Sequence, residues 1–176
     1  MINIIYSQDF KAQANHKYYF DNNIWMYILC PIGNYKQDYQ EKSSRILSQI
    51  KSVGASIFIN HLVLSEFSNA YIRLEYNKWK RGITDGKDDY KRHFKFTQHY
   101  QDTQIEIVAS LKRIIKLTQN CNELIEEEIA SAITNMSSID FNDSYYIELC
   151  KKENLKLVSN DSDFRIINED IDLIIL

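Results

Sequence analysis

Five short apolar runs, at residues 17–20, 56–60, 114–117, 155–158 and 171–176, alternate with stretches of helical periodicity. This alternation constrains the fold more than any other feature. Strands separated by a dozen or more residues cannot be joined by tight hairpins and must return through crossovers, which makes neighbours parallel. Parallel strands need cover on both faces. The expected class is therefore α/β, a three-layer α/β/α sandwich with a mainly parallel central sheet. Four glycines and one proline in 176 residues also favour helices over a turn-rich β architecture.

Taken in order, residues 1–16 offer a short strand and an arm. The run at 17–20 ends at Asp21, and residues 24–29 are helical, closed by Cys30, Pro31 and Gly33. An amphipathic helix is expected over 36–53, with Ile46, Leu47, Ile50 and Val53 inward and Gly54 as its stop. A helix should follow the run at 56–60 and extend to about Lys80, with Leu64, Phe67, Tyr71 and Leu74 as its apolar stripe. After a turn at 81–86, a second helical stretch over 87–112 would complete a long hairpin. Residues 114–117 read either as the end of that stretch or as a strand, and the strand is preferred. A helix over 120–134 should bury Leu124, Ile125, Ile129 and Ile133, and another should start near Asp140 and stop at Asn154. No repeat, low-complexity segment or boundary divides the chain, so residues 1–176 are expected to form a single domain.

Composition narrows the function classes. The net charge is −3, which does not by itself mark a nucleic-acid binder. The distribution is uneven: residues 73–117 hold 11 Lys and Arg against 6 Asp and Glu, and residues 118–176 hold 4 against 13. Such tracts are either solvated helix faces or a basic track beside a cation-holding cluster. Cys30, Cys121 and Cys150 are far apart, which argues against a zinc ribbon and a disulfide framework and for reduced thiols in a cytoplasmic protein. The first residues have neither a basic flank nor a long apolar run, so no signal peptide and no membrane span are expected. There is no phosphate-binding glycine loop, and no Ser-His-Asp or Cys-His arrangement. The four histidines lack metal spacing.

The acids carry the chemistry. Asp21, Glu66, Asp143 and Asp161 fall where strand ends meet helix starts, with Asp140 and Asp163 nearby. Open α/β sheets bind ligands at that carboxyl edge. Clustered carboxylates repel, and a cation relieves the repulsion. Oxygen donors without histidine or cysteine select magnesium or manganese. Each acid also has a structural reading. Asp21 can cap the following helix, Asp140 and Asp143 have capping-box spacing, Asp161 and Asp163 can form an Asx turn, and a glutamate in a first helical turn complements the dipole.

The ordered set Tyr19-Phe-Asp21-Asn-Asn23, Leu64-Ser-Glu66-Phe67, Asp143-Ser-Tyr-Tyr-Ile-Glu-Leu149 and Leu157-Val-Ser159-Asn-Asp161-Ser-Asp163-Phe164 resembles the PIN-domain nucleases over roughly residues 17–176. The resemblance implies a Rossmann-like α/β/α sandwich that hydrolyses RNA with magnesium or manganese. It assigns Asp21, Glu66 and Asp143 as core metal ligands and catalytic acids, Asp161 as the fourth, and Asp163 as an assistant. Asn23 and Ser159, with Asp140, would support the site. Many bacterial members are VapC-like toxins held by a cognate antitoxin, and they commonly pair through helices, so an antitoxin and a homodimer are the implied partners. Three departures stand out: Ser159 where threonine is common, Ser144-Tyr-Tyr146 where alanines are usual, and surplus length in the basic hairpin around 73–112. That hairpin, with Lys78, Trp79, Lys80, Arg81, Lys91, Arg92 and Lys95, would either guide single-stranded RNA or dock a partner. A non-catalytic module of the same architecture, binding RNA or protein, is the alternative.

Overall fold

The computed structural model describes residues 2–30, 37–136, 139–166 and 169–176. Six parallel strands form one sheet in the order β1-β6-β5-β2-β3-β4. These are β1 Asn3–Tyr6, β2 Lys17–Phe20, β3 Ser56–Ile59, β4 Gln119–Asn120, β5 Leu155–Ser159 and β6 Asp172–Ile175. The helices are α1 Asn22–Leu29, α2 Gln37–Ser52, α3 His61–Lys80, α4 Gln98–Leu117, α5 Glu126–Asn135 and α6 Phe141–Glu153. One group packs α1 on α2 and α3, and α3 on α4, while α5 packs on α6. The result is the α/β/α sandwich that the alternation requires.

The central strands are buried on both faces. Tyr18, Tyr19 and Phe20 of β2, Leu157 and Val158 of β5, and Leu173, Ile174 and Ile175 of β6 are all fully buried. Chain direction reverses at β2. From β2 the chain winds through β3 to β4, then crosses back to β5 on the other side of β2. The β2–β5 crevice is therefore the topological switch point, where a parallel sheet opens at its carboxyl edge.

Several elements differ from expectation, each for a local reason. Residues 114–117 end α4 rather than forming a strand. Thr103, Ile107 and Ile114 are buried while Ile115 is exposed, which is helical periodicity; the strand that follows is only β4. The second arm of the hairpin begins at Gln98, not near 87. Asp85 and Asp89 accept hydrogen bonds from the backbone N–H groups of Lys87 and Arg92, and such local bonds compete with helix. Phe94 is fully buried there among Tyr76, Trp79, Tyr90 and Tyr100. In α3 the buried stripe is Val63, Phe67, Tyr71 and Glu75, with Leu64 and Leu74 only partly covered. In α5 only Ala132 is buried; Ile125 and Ile133 are exposed, and the helix starts at Glu126. Val53 is exposed as well. Gly54 sits at φ +70° just beyond α2, the left-handed stop expected there. Cys30 caps α1, donating its N–H to Met26; the proposed closure by Pro31 and Gly33 lies outside the described residues.

Candidate active site

Asp21 and Asp161 follow β2 and β5, while Glu66 and Asp143 stand in the early turns of α3 and α6. Asp21 follows β2 directly, and its N–H donates to the Val158 carbonyl, which extends the β2–β5 pairing by one residue. Although Asp21 stands at the N-cap of α1, its side chain makes no capping bond. The carboxylate instead accepts from Ser159 Oγ at 2.8 Å and from Asn23 Nδ2 at 3.3 Å. It is only 5% exposed. Ser159, the last residue of β5, also accepts the Asp161 N–H at 3.0 Å. Asp161 in turn accepts the Asp163 N–H at 2.9 Å, an Asx-type turn that holds it at the strand end.

Glu66 lies early in α3 and is reached from α6. Tyr146 donates its hydroxyl to one carboxylate oxygen and Asn142 its amide to the other. Neither partner was singled out as a site residue by the sequence reading. A signal existed: Tyr146 stands three residues after Asp143, on the same helical face. It also occupies a place where a small residue was expected, and packs on Tyr19 with ring centroids 5.4 Å apart. Asp140 proves to be the helix cap, accepting the Asp143 N–H at 3.0 Å.

Electrostatics tie the segments together. Burial pushes Asp21 up to about 6, with the negative charges of Glu66 and Asp161 adding to the effect and the Ser159 hydrogen bond opposing it. Burial pushes Asp143 up to about 8, and the charges of Asp140, Asp21, Asp161 and Glu66 all act in the same direction. Asp161 is thus within electrostatic reach of both Asp21 and Asp143. Asp163 is exposed and contributes through its amide. Tyr146 is raised above its ordinary value by burial first and the Glu66 hydrogen bond second.

The donor set is all oxygen, and neighbouring acids raise the proton affinity of Asp21 and Asp143. That chemistry fits a hard divalent cation. Among the described residues, no group of three or more acids, histidines or cysteines converges as a ready-made metal site. Tyr146 and Asn142 each donate to one oxygen of Glu66, and each oxygen keeps a further lone pair that a cation could take.

The basic residues of the hairpin lie elsewhere. Lys78 pairs with the buried Glu75 at 2.6 Å, and His99 of α4 reaches the other oxygen of Glu75 at 3.0 Å. Lys80 pairs with Asp88 at 2.8 Å. Arg81, Lys91 and Arg92 are exposed at the hairpin tip. The fourteen-residue step from Glu66 to Lys80 along α3 is about 20 Å, so this tip is well separated from the acids.

A sequence model of the PIN domain matches residues 18–170. No curated protein matches the chain. Two crystal structures share the fold at 15% identity. One is PAE2754 from Pyrobaculum aerophilum, with a TM-score of 0.51 over 89% of this chain and 89% of that one. The other is VapBC2 from Rickettsia felis bound to a DNA fragment from their promoter, with a TM-score of 0.53 over 90% of this chain and 98% of that one. Within the described residues no helix is long and apolar enough to cross a membrane. With the family match spanning all four acidic segments, the chain belongs to the PIN domain family.

Proposed function

We propose that this protein is a metal-dependent endoribonuclease that hydrolyses RNA phosphodiester bonds, and that it is the toxin of a toxin–antitoxin pair. The reading is supported by the seat of Asp21, whose carboxylate is held by Ser159 and Asn23 while the same Ser159 hydroxyl takes the Asp161 N–H, and by the direction in which Glu66, Asp161 and Asp21 act on their acidic neighbours. A purely structural core has no use for repelling carboxylates, and PIN domains are generally nucleases. Asp21, Glu66, Asp143 and Asp161 would hold magnesium or manganese, with Asp163 assisting by fixing Asp161. Once bound, the cation would polarise the scissile phosphorus and make an attacking water more acidic.

The other residues position these acids. Ser159 bridges Asp21 and Asp161 through one hydroxyl, so the ends of β2 and β5 are set as a unit. Asn23 steadies the same oxygen of Asp21. Tyr146 and Asn142 orient Glu66, and Asp140 fixes the first turn of α6 that carries Asp143. At the tip, Arg81, Lys91 and Arg92 would track the RNA backbone, with Lys78 and Lys80 contributing what their pairing with Glu75 and Asp88 leaves.

The likeness to VapBC2 supports an antitoxin partner, and the exposed Phe96, Ile105, Val108 and Ile115 on and beside α4 supply apolar surface for an antitoxin or a second copy. The alternative is a non-catalytic module that binds RNA or protein. Purified protein with magnesium or manganese should cleave RNA, and Asp21→Asn should abolish the cleavage. Protein inert on several RNAs, and without metal binding by calorimetry, would exclude the nuclease.

A further inference from the structure

Between the acids and the hairpin tip, a groove of about 550 Å³ runs along α3. Asn69, Ile72, Arg73, Tyr76 and Asn77 of α3 line it, and Tyr90, from the segment before α4, completes the lining. Helix geometry fixes where this groove lies relative to the acids. Arg73 stands seven residues after Glu66, which is two turns along the same face and about 10 Å of rise. Asn69, Arg73 and Asn77 follow one another at four-residue intervals, so they form a single row leading from Glu66 towards the tip.

The row offers donors and one cation. All three residues are exposed. Among the described residues none of these three side chains has a hydrogen-bond or ion-pair partner. That separates Arg73 from Lys78 and Lys80, whose charges are answered by Glu75 and Asp88. Among the described residues no acid lines the groove. The opposite wall is aromatic and fixed. Tyr76 donates its hydroxyl to the Asp88 carbonyl at 2.8 Å. Tyr90 meets Tyr76 edge to face with ring centroids 5.3 Å apart, and both rings pack on the buried Phe94. Lys95 lies 5.5 Å over the Tyr90 ring and adds a second cation beside the groove.

We propose that this groove is a binding subsite for single-stranded RNA, in which Arg73 takes a backbone phosphate, the amides of Asn69 and Asn77 bond flanking phosphate or sugar oxygens, and a base packs against Tyr76 and Tyr90. The inference rests on the nuclease reading and deepens it: the strand cut at the acids is held two turns away along α3, on its way to the tip. A cationic track beside aromatic rings is the combination by which proteins hold single strands. A guanidinium suits phosphate because its fork can bond two oxygens at once. The groove also fills the roughly 20 Å between Glu66 and Lys80, so one strand can engage both ends of α3.

The test uses exposed positions. Arg73→Gln removes the charge, and Asn77→Asp sets an acid in the row. Binding of a uridylate decanucleotide is measured in the inactive Asp143→Asn background, and cleavage with the native acids. Arg73→Gln should weaken binding by about fivefold or more and lower the slope of log affinity against log salt by about 0.7, the loss of one phosphate contact on a single strand. Asn77→Asp should weaken binding by a similar factor. In cleavage, Arg73→Gln should raise KM and leave kcat unchanged, because the groove holds substrate and transition state alike. Tyr90→Ala is an independent arm. It should weaken decanucleotide binding severalfold and spare an abasic strand of the same length, which Arg73→Gln still weakens. Lys51→Gln, at the end of α2, should change none of these readings. Affinity and salt slope untouched by Arg73→Gln and Asn77→Asp overturn the subsite. Loss of binding to a protein partner in these variants, with RNA binding intact, overturns it too and assigns the groove to protein docking. RNA cut by these variants at wild-type efficiency leaves the nuclease reading standing without the subsite. RNA held through Arg73 but never cut upholds the subsite and sinks the nuclease reading instead.

Discussion

Two charged regions of this molecule use charge in opposite ways. Around the proposed site, burial and the charges of neighbouring acids raise Asp21 and Asp143 well above the ordinary carboxylate range. In the α3–α4 hairpin the buried charge is matched. Glu75 is 7% exposed and is held by Lys78 from one side and His99 from the other. Lys80 answers Asp88 in the same way at the surface. Buried acids without a cationic partner are held protonated by raised pKa values, a pattern that clusters at functional sites. The comparison sets a proposed site apart from a brace, even though the sequence marked both as runs of charge.

The sharpest break in that comparison is Asp143→Asn. We expect cleavage of RNA to be abolished, and the metal-free protein to melt a few degrees higher at neutral pH. Burial and neighbouring acids push Asp143 up to about 8, so it stays protonated where the unfolded chain would ionise it, and asparagine removes that cost. Magnesium should raise the melting temperature of the wild type, EDTA should reverse the rise, and the variant should respond to neither. A variant that melts higher and still cleaves at the normal rate would show that the acids are not a site.

A second substitution set addresses the tip. Changing Arg81, Lys91 and Arg92 together to glutamate should weaken RNA binding by more than about tenfold at low salt. It should also flatten the salt dependence of binding by about three units of slope. Unaltered salt dependence would assign this surface to protein docking.

Tyr146→Phe removes one of the two bonds that orient Glu66. Loss of such an outer partner typically costs about tenfold or more in metal affinity, so calorimetric titration with manganese should show weaker binding. Tighter binding would mean that Tyr146 withholds Glu66 from the cation. The smallest expected effect is that of Glu75→Gln. Its partners are partly exposed, so the loss should be about 1–2 kcal/mol, roughly 2–6 °C in melting temperature, with cleavage unchanged. A fall in cleavage without a fall in stability would give the brace a role in the site.

Local pattern made much of this legible. The strands at 17–20, 56–60 and 155–158 and the α2 stripe of Ile46, Leu47 and Ile50 follow from periodicity, which a single segment contains entirely. Asn154 ends α6 in the left-handed conformation, as its place beyond the helix suggested. Where periodicity was ambiguous, packing decided. Residues 114–117 are apolar enough for a strand, yet Ile114 turns inward and Ile115 outward because α4 is already lying on α3. Glu75 extends the stripe Val63–Phe67–Tyr71 by one further turn, where Lys78 of the same helix and His99 from α4 each take one of its oxygens.

The candidate site divides in the same manner. Asp21, Glu66, Asp143 and Asp161 were visible because each follows or opens an element, and that placement is a property of the chain alone. Whether Asp140 caps a helix, and whether Asp161 or Asp163 lies nearer the others, depended on backbone direction at the end of β5 and the start of α6. The partners of Glu66 come from 76 and 80 residues away. By itself the sequence determined the order of elements and the chemistry of the acids, since both are written in local spacing and residue type. Only the tertiary structure decided which charges go unmatched, because matching depends on what distant segments bring within a few ångströms.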